Sequence, residues 1–382
     1  MQVSTRLRAR PGLPALGAAL AAAAAFAVVA MPAQPAGAAA VRPPANTNPA
    51  FLEVFVDNVE NLETTSSTAE AGVTAAEAEK CKGDWQDLIY AMTERQYAPD
   101  LFIVQQVSGQ SQLQTLASKM TELLGFTYRA EIIADPSPSN FQGSECTAKH
   151  YQTNGIIYRE GRFTYNPAVD PHATWQAQRL LNGSCTNNTQ DRTKGVKARL
   201  KDQITGQYVS VASVHWPSAQ LGGPDCADSN GSEVRSELNE AEYNGSALKI
   251  WGGDSNITDL TSTTASSASY RSWFATMNGD LSTTYYRDVI FDDCRERTSD
   301  VHSAAFKQCL ITAKTLVGTN RRIDFLMASR NSSALPFIDN EVTVDPNVAD
   351  QADINATGSD NGLYDYSNHL AVGARVHYAA TG

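Results

Sequence analysis

Six short segments place polar residues where apolar runs end: DNVEN (57–61), FIVQQV (102–107), SVHWPS (213–218), GGDSN (252–256), RRIDF (321–325) and YSNHL (366–370). A polar side chain at the edge of a core costs free energy unless it is paired or used. The groups on offer include the carboxylates of Asp254 and Asp324, the imidazoles of His215 and His369, and carboxamides such as Asn58 and Asn256. Such a set suits hydrolysis of a phosphoester. That reaction needs a water that is held and deprotonated, donors for the charge growing on the phosphoryl oxygens, and help for the leaving oxygen. Asp254 can hold water or take its proton. Asn256, His215 and His369 can donate to phosphate oxygens. An acid such as Asp324 beside an imidazole such as His369 fixes the ring's tautomer and makes it more basic. A hard divalent cation held by carboxylates would add Lewis acidity.

Each of these residues also has a structural reading. A lone histidine on a strand is more often packed and satisfied than catalytic. Asn58 and Asn61 suit caps and turns. Asp324 follows two arginines and suits a surface ion pair of little worth. Glu60 suits a solvent-facing position, and His369 beside Asn368 suits a turn. The sequence contains no P-loop, no G-x-S-x-G and no H-E-x-x-H.

The elements that must hold these residues follow from periodicity. Phe51–Val59 predicts a strand, and a Ser/Thr/Ala/Glu-rich loop follows at 64–79. Trp85, Leu88, Ile89 and Met92 repeat at helical spacing. Leu101–Val107 is a short apolar strand. Leu113, Leu116, Ala117, Met120, Leu123 and Leu124 form a second helical stripe, with Gly125 as its C-cap. Strands are predicted at Tyr128–Ala134, Gly155–Tyr158, Val196–Leu200, Val209–Trp216, Lys249–Gly253, Arg322–Ala328 and Leu370–Tyr378. In one of them Val209, Val211, Ser213 and His215 share a face. A polar helix is predicted over Glu233–Tyr243 and a short helix around Tyr270–Met277. Strands with irregularly interspersed helices imply mixed sheets covered by helices. Residues 41–50 read as a flexible lead-in, and no linker divides 51–382.

The six motifs, in this order and each at a strand end, resemble the endonuclease/exonuclease/phosphatase superfamily from about Phe51 to the C-terminus. That group includes pancreatic-type deoxyribonucleases, bacterial sphingomyelinases, inositol-polyphosphate phosphatases and abasic-site endonucleases. The resemblance implies a four-layer α/β sandwich of two facing mixed β-sheets flanked by helices, with the site at one end of the sheets. It implies that Asn58 orients groups at the metal and phosphate, that Asp254 positions or deprotonates the attacking water, and that Asn256 binds phosphate. Asp324 would orient the terminal His369. His215 matches the deoxyribonuclease and sphingomyelinase branches. Glu60 matches a metal-binding acid of some members. Gln106 and Asn368 stand where the family has carboxylates at or near the metal. Two neutral amides there should weaken a site for Mg²⁺, Mn²⁺ or Ca²⁺, although an amide oxygen still coordinates.

The ends of the chain and its charge bound the setting. Arg6, Arg8 and Arg10 precede an Ala-rich apolar stretch from Leu16 to Met31, then small residues; residues 1–40 read as a secretory signal peptide of a bacterial chain. The net charge is −11, and loss of three signal arginines leaves −14. That excludes a broad basic surface for nonspecific nucleic-acid binding. The six cysteines of an exported chain suggest three disulfides. We expect Cys81–Cys146, Cys185–Cys226 and Cys294–Cys309, because each pair brackets an excursion. Arg192 and Lys194 suit a solvated strand end, and Trp216 suits the core. The expectation is a secreted, monomeric, divalent-metal-dependent phosphodiesterase without stable membrane insertion. Its substrate is expected to be nucleic acid, with a phospholipid headgroup or sugar phosphate as alternative substrates. A catalytically impaired binding protein is the remaining alternative.

Overall fold

Strand β1 (Phe51–Asn58) is buried along its whole length. Leu52, Val54 and Val56 enter one apolar core, and Phe55 enters another with the first two helices. A strand that is wet on neither face belongs at the centre of a covered sheet. In the computed structural model β1 does lie inside a sheet, between β2 (Leu101–Val107) and β13 (Val372–His377). The structure describes residues 42–59, 85–134, 152–177, 193–217, 227–257, 286–298, 300, 303–316, 321–329, 342–344, 367 and 369–378. All of them belong to one unit, Val41–Gly382.

Two sheets face each other. The first has the order β12-β13-β1-β2-β4-β3, with β3 at Tyr128–Ile133, β4 at Thr153–Arg159 and β12 at Thr343–Val344. The second has the order β10-β11-β9-β8-β7-β5, with β6 also paired to β7. Its strands are β5 (Phe163–Thr164), β6 (His172–Gln176), β7 (Lys194–Asp202), β8 (Tyr208–His215), β9 (Leu248–Asp254), β10 (Tyr286–Asp288) and β11 (Asp324–Ser329). Both sheets are mixed: β1 runs parallel to β2, and β8 parallel to β9, among otherwise antiparallel pairs. The sheets approach closely at Gly252, where a Cβ would stand 2.9 Å from Val56 Cγ2. Gln105 Nε2 donates to Ser213 Oγ across the gap (2.9 Å), and Ser213 Oγ donates to the Val104 carbonyl (2.8 Å).

Helices cover the outer faces. α1 (Trp85–Thr93) buries Leu88, Ile89 and Met92, α2 (Gln110–Leu124) buries Leu113, Leu116, Ala117, Met120 and Leu124, and Gly125 takes a left-handed cap with φ 82°. The helix expected over Glu233–Tyr243 is two helices. α3 (Ala227–Leu238) begins earlier, and Glu240 breaks the run with ψ 153° before α4 (Ala241–Asn244). Two further helices, α5 (Val289–Thr298) and α6 (Ala304–Thr312), were not apparent from periodicity. The expected Cys294–Cys309 disulfide joins them. Cys81, Cys146, Cys185, Cys226 and the helix expected near Tyr270 lie outside the described residues. Residues 42–50 are no loose lead-in. Asn46 is buried and donates to Asp100 Oδ2 (2.7 Å), and Ala98 N donates to the Pro44 carbonyl (2.9 Å). Trp216 is core, stacked on Trp251 at 5.6 Å. Lys194 opens β7 and is half-buried.

Candidate active site

The topology brings distant residues to one end of the sandwich. Parallel pairs carry their C-terminal ends to the same edge, so Asn58 lies level with Gln105 and His215 with Asp254. The antiparallel neighbour β11 starts where β9 stops, and Asp324 pairs with Asp254. His369 precedes β13, the antiparallel neighbour of β1, and bridges to Leu316.

These side chains converge on one carboxylate oxygen. Asn58 Nδ2 donates to Asp254 Oδ2 at 3.1 Å. His215 Nε2 stands 3.4 Å from the same oxygen, and His369 Nε2 stands 3.9 Å away, too far for a direct bond. His369 Nδ1 faces both oxygens of Asp324 at 3.0 Å each. A nitrogen facing a carboxylate at that range carries a proton, so Nε2 can accept whenever the ring is neutral. Asn58 Nδ2 lies 3.3 Å from that Nε2. One amide thus offers one proton to Asp254 and the other to His369. All five residues are at most 5% exposed.

Burial dominates the electrostatics of Asp254. Loss of water pushes its carboxyl up to about 7, and the nearby Asp324 charge pushes the same way. His369, the Asn256 backbone N–H and the Asn58 amide oppose the rise. The balance leaves a carboxyl that changes charge near neutrality, the range suited to a general base.

The backbone at this edge is specialised. Gly253 has φ 150°, and a Cβ there would lie 1.7 Å from the Val214 carbonyl oxygen, so only glycine fits. Asn256 has φ 54°. Its N–H donates to Asp254 Oδ1 (2.7 Å), and its Nδ2 donates to the Trp216 carbonyl (2.8 Å). Asn256 therefore fixes Asp254 and ties β8 to β9, where the resemblance implied a phosphate ligand. One amide proton remains for a ligand.

Gln106 also has a left-handed backbone, φ 58°. The register of β2 on β4 shifts between Val104 and Val107, which marks a bulge and turns two successive glutamines from the regular alternation. Gln105 reaches Ser213, while Gln106 Oε1 accepts from Gln152 Nε2 at 2.8 Å. Glu60 and Asn368, the other expected metal ligands, lie outside the described residues.

Two contributors escaped the sequence reading. Ser367 Oγ donates to the Asn58 carbonyl (2.6 Å) and accepts from His369 N (3.0 Å), so it joins β1 to the terminal histidine. Its place in YSNHL was the available signal. Thr315 is wholly buried and fastens the start of β11. Nothing in AKTLVG marks it.

No family model matches the chain, and no curated protein matches it. Solved structures do. The human Nocturnin catalytic domain, with bound sulfate, matches at TM-score 0.51 and 14% identity, over 86% of this chain and 95% of that one. An endonuclease/exonuclease/phosphatase from Bacteroides vulgatus matches at TM-score 0.48 and 13% identity, over 86% and 99% of the two chains. A mannosyl-6-phosphatase from Bacteroides thetaiotaomicron matches at 0.47 and 12%, over 85% and 99%. At such identities the likeness is one of fold.

Proposed function

We propose that the protein is a phosphoester hydrolase of the endonuclease/exonuclease/phosphatase type, acting on phosphodiesters and most readily as a nuclease, a reading supported by the fold it shares with the Nocturnin catalytic domain. The observation that carries this reading is the convergence of Asn58, His215 and His369 on Asp254 Oδ2, with Asp324 behind His369. In its ionised form Asp254 accepts a proton from the attacking water as the new P–O bond forms. His215 and protonated His369 donate to the phosphoryl oxygens, and Asp324 stabilises the imidazolium. Asn58 orients both Asp254 and His369. The P–O bond to the leaving group breaks, and that oxygen takes a proton from an imidazolium or from solvent.

A divalent cation fits this edge, though weakly. Asp254, Asp324 and His369 present donor atoms within 4.8 Å of one another. Asp324 and His369 Nδ1 face each other, so Asp254 is the first candidate ligand, with Gln106, Glu60 and Asn368 as further proposed ligands. Bound Mg²⁺, Mn²⁺ or Ca²⁺ would supply Lewis acidity and neutralise phosphate charge. The neutral Gln106–Gln152 pair favours a second reading, a binding protein that keeps the phosphate-facing residues but turns over poorly.

We also propose that the signal-like residues 1–40 direct secretion. Among the described residues no helix is long and apolar enough to cross a membrane. The test is hydrolysis of bis(4-nitrophenyl) phosphate by the chain from Val41 onward with Mg²⁺, Mn²⁺ or EDTA. Absence of metal-dependent turnover, unrescued by Gln106→Glu with Asn368→Asp, would leave the binding reading. Plasmid nicking against sphingomyelin release then separates a nuclease from a lipid phosphodiesterase.

A further inference from the structure

We propose that Thr315 is the positioning residue that sets the Asp324–His369 pair, an inference that rests on the phosphoesterase reading above. Thr315 lies three residues beyond α6 and is wholly buried. Its Oγ1 accepts from the backbone N–H groups of both Ile323 and Asp324, each at 3.0 Å. Successive N–H groups of an extended strand point to opposite sides. They meet one oxygen only where the backbone turns as it enters β11, and that turn sets the direction in which Asp324 leaves the chain. The two bonds fill both lone pairs of the hydroxyl oxygen.

The same residue holds the histidine side. The Thr315 carbonyl accepts from Leu370 N at 2.7 Å, and the next residue, Leu316, bridges to His369. Thr315 N and Leu316 N both donate to the Arg321 carbonyl, at 2.9 and 3.1 Å. One buried residue therefore ties the backbone of Asp324 to the backbone beside His369. The separation between the two side chains, 3.0 Å, follows from how that tie is set. Thr315 touches no reacting atom; it acts through the pair. A displacement of about 1 Å in such a pair costs on the order of 10²-fold in rate.

The experiment compares Thr315→Val, which keeps shape and removes the acceptor, with Thr315→Ser, which keeps the acceptor. Two readouts are taken on the chain from Val41 onward. One is kcat and KM on bis(4-nitrophenyl) phosphate. The other is the low-field proton resonance of His369 Nδ1–H, assigned by its loss in His369→Ala. Thr315→Val is expected to lower kcat about 100-fold with KM within about threefold, and to shift or broaden the resonance. Thr315→Ser is expected to restore both. A folded Thr315→Val with unchanged kcat and unchanged resonance overturns the proposal. So does a Thr315→Ser variant that loses rate and resonance, a result that stands even if Thr315→Val does not fold. If the unaltered chain hydrolyses no phosphoester, the functional reading fails, while the resonance still decides the positioning role.

Discussion

Replacing Asp324 by asparagine tests the core of the proposed mechanism. His369 Nδ1 lies 3.0 Å from both Asp324 oxygens, and Asp324 is wholly buried. At an effective dielectric of about 20, a unit charge pair at that distance is worth about 5 kcal/mol. The His369 imidazolium that donates to the phosphoryl oxygens would lose most of that support, and the new NH₂ group would face the ring's own N–H. Part of the loss is recovered by the amide dipole, so we expect about 3–4 kcal/mol to remain, a fall in kcat of about 10²–10³-fold. KM should change less than kcat, because Asn58 Nδ2 still lies 3.3 Å from His369 Nε2. The assay is single-turnover hydrolysis of bis(4-nitrophenyl) phosphate, with circular dichroism melts to confirm folding. A folded Asp324→Asn variant within tenfold of the parent rate would refute the pairing as a catalytic device.

Other expectations follow from the same edge. Asp254 keeps its proton in the fold up to about 7 but ionises near 3.8 when unfolded. In EDTA, stability should therefore be fullest below about 4 and decline as pH rises through about 7. Asp254→Asn should flatten that slope in thermal melts taken from pH 4 to 8. Activity should climb over the same pH range, since the ionised form accepts the water proton, and a flat acid limb would contradict this. Gln106→Glu should tighten Mn²⁺ binding at least about tenfold by electron paramagnetic resonance; Gln152 Nε2 can still donate to the new carboxylate. Gly253→Ala should cost about 4 kcal/mol or more in urea unfolding, because its Cβ would lie 1.7 Å from a carbonyl oxygen. Cys294→Ala with Cys309→Ala opens a 15-residue loop and should cost about 3 kcal/mol, read as a lower melting temperature.

The strands that carry the site were legible because each is a short apolar run ending in a polar residue. β1, β2, β8 and β9 match their expected spans within two residues. α1 and α2 were legible for a related reason: their apolar residues repeat on one face. α5 has no such stripe, for its buried residues run consecutively from Val289 to Cys294 and include Asp292 and Asp293. Those acids are buried beside Arg287 and Arg297, and the disulfide to α6 replaces part of the apolar seam. Asn58, Asp254, Asp324 and His369 announced themselves by residue type. Thr315 and the bulge at Gln105–Gln106 did not, because their parts are set by backbone direction. Asn256 was recognised, yet the carbonyl that its amide holds belongs to Trp216, one residue past the end of β8.

The pairing of β1 with β13 sets a clock on the protein's competence. Phe51 lies opposite His377 in the register, so β1 lacks one neighbour until β13 has emerged. His369 sits just ahead of that last strand, and Ser367, which holds Asn58, just ahead of His369. A nascent chain that has delivered His215 and Asp254 still lacks the imidazole that pairs with Asp324. Under the proposed function, cleaving power arrives only when β13 pairs with β1. Long-range pairing of this kind also makes closure a slow step of folding.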